Sequence, residues 1–335
     1  MRIDQLDILR GAAILFMVVA NYSPYYIEKP SEILRIMYTF AAPLFVSITG
    51  FLMYKNKIEK DYNVNYFVVR GVLLIITASL LEMIGYRIYP LMSVDVLCLI
   101  GSCTILLPVL HKVWKYFNLW SILIIFILTI FLQNLFGYNQ QAYEITIGTP
   151  ITLQEYFVIT IKQFFIDGYF PIFPWVGIFM LGFAFYDQLY KEIVIKNKMA
   201  MIFLFFVFSF ILVNTERYIR DGYAELFYPP DFIFQAWATC FLFICFYMIN
   251  FKNYYVQIIG KSSLFFYIFH CLFVEYILQN INYTKYILNN DFPHINFIIS
   301  VVITFILMLL ISFYFEYLKS KKPNMPFIVK FFIGS

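Results

Sequence analysis

The chain has 335 residues, of which 62% are hydrophobic and only 13% charged, with a formal net charge of +4. So little polar surface cannot cover a soluble globule, and the 24 Lys and Arg sit scattered at segment ends, not in the stripe that a nucleic-acid interface needs. Uncharged apolar stretches of the roughly 20 residues that cross a bilayer recur at 36–54, 116–143, 168–186, 232–251 and 295–315. The expected fold class is therefore an all-α, polytopic transmembrane helical bundle, with 1–335 as a single integral membrane domain.

In chain order, ten spanning helices are predicted at 8–27, 34–54, 64–86, 88–110, 115–136, 170–190, 199–215, 231–250, 257–279 and 294–318. No small-residue cleavage site follows the first apolar run, so it is expected as a retained helix. The segment 151–167 is apolar but short and carries Glu155, Lys162 and Asp167, which suits a re-entrant or interfacial helix better than an eleventh span. With ten spans and a cytoplasmic N-terminus, most Lys and Arg fall on inner segments, leaving only Lys29, Arg35, Arg87, Lys162, Arg217, Arg220 and Lys285 outside. That asymmetry places both termini in the cytoplasm of a cell membrane. Cys98, Cys103, Cys240, Cys245 and Cys271 all lie inside apolar stretches, as small hydrophobes and not as a disulfide or zinc framework.

Ionisable groups within a bilayer are costly, so each is a functional candidate. Glu82, Asp95 and Glu275 fall in the outer halves of their predicted helices, Asn21 at the outer end of the first and His270 near mid-membrane. Two readings stand: a polar cavity open to the outside, or carboxylates that pair with neighbouring Arg, Tyr or Ser and fix helix packing. Glu275 lies five residues beyond His270, about 140° around the helix and roughly 7.5 Å along it, so the two are not expected to act on one point. Asp7 and Arg10, one turn apart, read either as an end anchor or, with Arg70, as guanidinium groups for phosphate at the inner face. Trp175, in Pro171-Ile172-Phe173-Pro174-Trp175-Val176-Gly177, suits an interface or a cavity wall. No spacing suggests a metal site, a phosphate-binding loop or a Ser-His-Asp constellation.

Six motifs then follow one another over residues 6–270: Leu6-Asp7-Ile8-Leu9-Arg10-Gly11; Ala42-Pro43-Leu44-Phe45-Val46 with Gly50; Arg70-Gly71 leading to Glu82; Phe173-Pro174-Trp175; Tyr228-Pro229-Pro230; and Gly260 to His270 through Leu264-Phe265-Phe266-Tyr267. Together they resemble prokaryotic membrane proteins related to heparan-alpha-glucosaminide N-acetyltransferase. The resemblance implies transfer of an acetyl group from cytosolic acetyl-CoA, as co-substrate, to a hydroxyl or amine of an envelope saccharide across the membrane. It implies Asp7, Arg10, Arg70, Glu82 and His270 as a shared core, with Arg10, Arg70 and Asp7 on the donor side. Membrane lipid and the saccharide are the implied partners, with a homodimer left open. Prokaryotic relatives often carry Asp-His where this chain has Ala20-Asn21, and the lysosomal enzyme has Asn-Tyr, as in Asn21-Tyr22, with its working His in the loop beyond. Here that loop, 23–32, has no His, so Glu28, Glu32 or His270 serves as base while Asn21 orients the acceptor or polarises the thioester carbonyl. The alternative is a non-catalytic membrane protein or small-molecule transporter on the same scaffold.

Overall fold

The computed structural model describes residues 3–138, 145–190, 198–220, 222–247, 252–273, 293–322 and 324–333. Among the described residues fourteen helices follow one another: α1 (Ile3–Tyr22), α2 (Glu32–Thr39), α3 (Ala41–Lys60), α4 (Val64–Leu81), α5 (Val96–Phe117), α6 (Leu119–Phe136), α7 (Leu153–Lys162), α8 (Ile172–Tyr190), α9 (Lys198–Asn214), α10 (Phe232–Tyr247), α11 (Tyr254–Lys261), α12 (Ser263–Leu272), α13 (Pro293–Lys321) and α14 (Phe327–Ile333). No strand occurs among the described residues, only one isolated bridge between Ile88 and Thr146. The fold class is the expected all-α membrane bundle.

Among the described residues six stretches are unbroken and apolar enough to cross a bilayer: Asp4–Tyr25, Glu32–Lys60, Val64–Tyr86, Val96–Phe117, Leu119–Phe136 and Pro293–Lys321. The remaining expected spans take other forms. α7, with the π-turn Gln163–Asp167, meets α8 at a 46° bend, as a broken span or re-entrant loop. α9 and α10 are shorter apolar helices. The ninth is broken at Ser262 into α11 and α12, and its continuation lies outside the described residues.

The fourth expected span needs a correction. It begins at Val96, not near residue 88, because Asp95 accepts the Val96 N–H as N-cap and the preceding residues are pinned elsewhere. α13 shows what surrounds the bundle. Ser300, Thr304, Met308 and Ser312 are buried on one face, while Ile298, Val302, Ile306 and Leu310, half a turn away, are exposed. An exposed apolar row on a helix of this length faces lipid.

The chain condenses into two compact units, each discontinuous in sequence: Met1–Leu44 with Gly222–Glu225 and Ile249–Ser335, and Phe45–Asp221 with Leu226–Met248. In the first, α1 crosses α11 so closely that a Cβ on Gly11 would meet the Val256 carbonyl oxygen at 2.0 Å, and one on Gly260 the Asp7 carbonyl oxygen at 1.8 Å. Only glycine permits such backbone approach. Ser262 ties the α11–α12 break to α14 through its Oγ, which donates to the Ile333 carbonyl at 2.8 Å. In the second unit the same device joins α3 to α8, where a Cβ on Gly50 would meet the Phe179 carbonyl oxygen at 2.0 Å.

Candidate functional site

The two ends of α1 carry different chemistry. At its N-terminal end the Arg10 guanidinium lies 3.3 Å from Asp7 through Nη1 and donates through Nη2 to Ser263 Oγ, at the start of α12. The Gly11 and Gly260 crossing makes this reach short: with the backbones of α1 and α11 touching, Arg10 meets the next helix without extending into solvent.

At the C-terminal end of α1, Asn21 Nδ2 donates to the Met17 carbonyl at 3.0 Å and lies 3.1 Å from His270 Nε2. His270 Nδ1 is 3.2 Å from the Phe266 carbonyl. These contacts assign the tautomer. A carbonyl can only accept, so Asn21 presents its NH₂ to Met17 and its second N–H to His270, whose Nε2 is then the acceptor and whose Nδ1–H donates to Phe266. The imidazole is neutral, with its basic nitrogen aimed at Asn21. A hydroxyl ladder continues along the same end: Tyr22 with Thr304 at 2.9 Å and Tyr26 with Ser300 at 2.7 Å, both between α1 or its following turn and α13.

Beside this end stands a second polar cluster that the sequence did not single out. Gly222, at φ 86°, lies against Pro24, and the turn it permits carries Ala224 and Glu225 into the first unit. Arg35, on α2, donates through Nε to the Ala224 carbonyl at 3.0 Å and through Nη1 to Glu32 at 3.2 Å. Tyr38 donates to Ser23 Oγ at 2.8 Å. Glu225 is only 8% exposed, and burial, the dominant cause, pushes its carboxyl up from the ordinary 4.5 to about 7 against the opposing pull of Arg35. Its signal in sequence is a charged residue set between Ala224 and Leu226-Phe227, directly before Tyr228-Pro229-Pro230.

The other sequence candidates are placed as follows. Glu28 and Glu32 are exposed, and Glu32 is engaged by Arg35. Glu82, in the second unit, is 1% exposed and accepts from the Leu91 N–H, the Ser93 N–H at 3.0 Å and Ser93 Oγ at 2.5 Å. Asp95 is a helix cap. Trp175 is fully buried among Phe170, Phe227 and Phe234, with ring centroids at 5.0, 5.4 and 5.4 Å. Arg70 is half-buried on α4. Tyr228, of the Tyr-Pro-Pro motif, packs with Tyr138 on the Arg220 guanidinium, at 4.7 and 4.9 Å. Glu275 lies outside the described residues. No grouping of His, Cys, Asp and Glu suited to a metal ion occurs among the described residues.

The structure thus joins Asn21 to His270 and Asp7 to Arg10. The family model described as heparan-alpha-glucosaminide N-acetyltransferase, catalytic, matches residues 2–216, well over half of the chain. The chain belongs to that family. No curated protein matches it. The matched region holds Asp7, Arg10, Asn21, Glu28, Glu32, Arg70, Glu82, Asp95 and Trp175, whereas Glu225 and His270 lie beyond it.

Proposed function

Starting from that membership, we propose that the protein transfers the acetyl group of acetyl-CoA to a hydroxyl or amine of an extracytoplasmic saccharide in the cell envelope, with both of its own termini in the cytoplasm. The observation that carries the reading is the Asn21–His270 hydrogen bond at 3.1 Å. It supplies a neutral imidazole whose acceptor nitrogen meets a neutral amide, the pairing that acyl transfer to a hydroxyl needs. In the proposed step the incoming acceptor takes the place of the Asn21 N–H at Nε2. Its oxygen or nitrogen attacks the thioester carbonyl, Nε2 takes its proton, the C–S bond breaks, and coenzyme A leaves as thiolate. The released Asn21 N–H is then available to the carbonyl oxygen as charge develops there.

Among the three candidate bases we favour His270. Glu28 and Glu32 are exposed to solvent and Glu32 is engaged by Arg35, whereas His270 is buried with its acceptor nitrogen at Asn21. For the donor, Arg10 held by Asp7 is proposed to bind phosphate at the opposite end of α1. Arg70 is proposed for phosphate on the sequence argument alone.

The test is transfer of labelled acetyl from acetyl-CoA to a panel of envelope saccharides by the purified protein in lipid vesicles. Replacing His270 by Gln should lower turnover about 10²-fold or more with coenzyme A affinity unchanged, whereas Glu28→Gln and Glu32→Gln should not. A parent that binds coenzyme A but acetylates nothing would leave the transporter or non-catalytic reading in place.

A further inference from the structure

Two buried polar atoms beside the C-terminal end of α1 have opposite charge and no hydrogen-bond partner among the described residues: Arg35 Nη2 and Glu225 Oε2. The other donors of Arg35 are engaged: Nε on Ala224 and Nη1 on Glu32. The side chains act on each other electrostatically, yet they do not close into an ion pair that would satisfy both atoms. Buried groups left unmade are costly, so the gap is informative. The backbone is committed on each side of it. Ala224 is fixed by Arg35, Gly222 by Pro24, and Tyr38, which feels the Glu225 charge, by Ser23.

One kind of group satisfies both atoms at once. It must accept from a guanidinium and donate to a carboxylate, which a neutral hydroxyl does and an ion does not. A sulfate or carboxylate there meets Glu225, and an ammonium meets Arg35. Resting on the acyl-transfer reading for its ligand class, we propose that Arg35 and Glu225 form a hydroxyl-binding subsite for the acceptor saccharide: a neutral sugar hydroxyl donates to Glu225 Oε2 and accepts from Arg35 Nη2. Ser23, bonded to Tyr38 of this cluster, follows Asn21 by two residues, so the cluster lies at the end of α1 that carries the Asn21–His270 pair. Both are positioning residues, and they select uncharged sugars at this point.

The experiment uses the full chain in lipid nanodiscs and a panel of methyl glycosides of glucose, galactose, mannose, rhamnose and N-acetylglucosamine, with monodeoxy derivatives of whichever binds best. Calorimetric affinity and labelled acetyl transfer are measured side by side. Glu225→Gln and Arg35→Gln should each weaken binding about 10- to 100-fold, raising KM more than they lower kcat. One monodeoxy sugar should bind the parent as weakly as the variants bind the full sugar, and should lose little more in them. Unchanged affinity in both folded variants, or no sugar binding by the parent, overturns the subsite and leaves a trapped water as the bridge. Should a variant fail to fold, the deoxy series on the parent decides, since uniform affinity across it also overturns the subsite. Binding with an intact cycle but no transfer sinks the acyl-transfer reading alone. Transfer with variant KM values unchanged sinks the subsite alone.

Discussion

Among the described residues each compact unit buries two carboxylates, Asp7 and Glu225 in the first and Glu82 and Asp167 in the second, and of these Glu82 and Glu225 are treated in opposite ways. Glu82, in the second unit, accepts three hydrogen bonds from Leu91 and Ser93. Glu225, in the first, keeps one oxygen with no partner among the described residues. A buried carboxylate with both oxygens engaged and three of its roughly four acceptor sites filled has little left to offer a ligand and serves the backbone around it. Arg87, Leu91 and Val94 all hold positive φ in the segment that Glu82 clasps, a conformation that β-branched Val94 in particular does not adopt unaided. A buried one with an oxygen left without a partner still has hydrogen-bonding capacity to satisfy.

The same isosteric change should therefore act differently at the two sites. Glu82→Gln turns an acceptor oxygen into an NH₂ facing N–H and O–H donors, and should cost roughly 3 kcal/mol or more. Glu225→Gln, at neutral pH, should stay within about 1 kcal/mol, because it removes a charge that burial opposes. Thermal unfolding of both variants in nanodiscs makes the comparison. Equal losses would erase the distinction between clasp and subsite.

Sequence alone separates these roles only in part. Six of the ten expected spans have unbroken apolar counterparts among the described residues, because apolar length is a property of the local chain. The start of α5 was misplaced since the residues before it are apolar enough for a helix, yet their N–H groups are claimed by Glu82, an interaction that hydropathy does not contain. Asn21 and His270 were each nominated as costly polar groups, but their pairing spans 249 residues and exists only once α1 and α12 pack. Glu225 lies between two predicted spans, where hydropathy carries no sign of burial. Its burial depends on Gly222 turning the chain toward Pro24, which has no signature beyond the glycine itself.

A titration sharpens the contrast. Glu225 is raised from 4.5 to about 7 by burial, so between those values the native state holds more protons than the unfolded chain. Its contribution to stability is present below about pH 4.5, falls as pH rises through 7, and is flat above. Arg35 and Tyr38 face it. The stability of the parent relative to Glu225→Gln should thus decline by about 2–3 kcal/mol from pH 4.5 to 7.5, and a flat difference would show that the carboxylate is solvated.

The smallest effect tests how far saturation can be trusted as a guide. Arg10 is engaged by Asp7 and Ser263, so by the standard applied to Glu82 it is an anchor, whereas the function proposed above would make it a phosphate ligand. The two differ in one respect that matters. The Arg10 side chain is 25% exposed, and a guanidinium carries five donors, so it can hold Asp7 and Ser263 and still meet a phosphate, while a carboxylate with three donors around it has no such margin. Arg10→Lys keeps the charge and loses the planar fork. It should weaken coenzyme A binding by about 10-fold, near 1.4 kcal/mol, with the melting temperature nearly unchanged. A variant that instead loses stability and binds coenzyme A as the parent does would return Arg10 to the anchors and extend the saturation rule to cations.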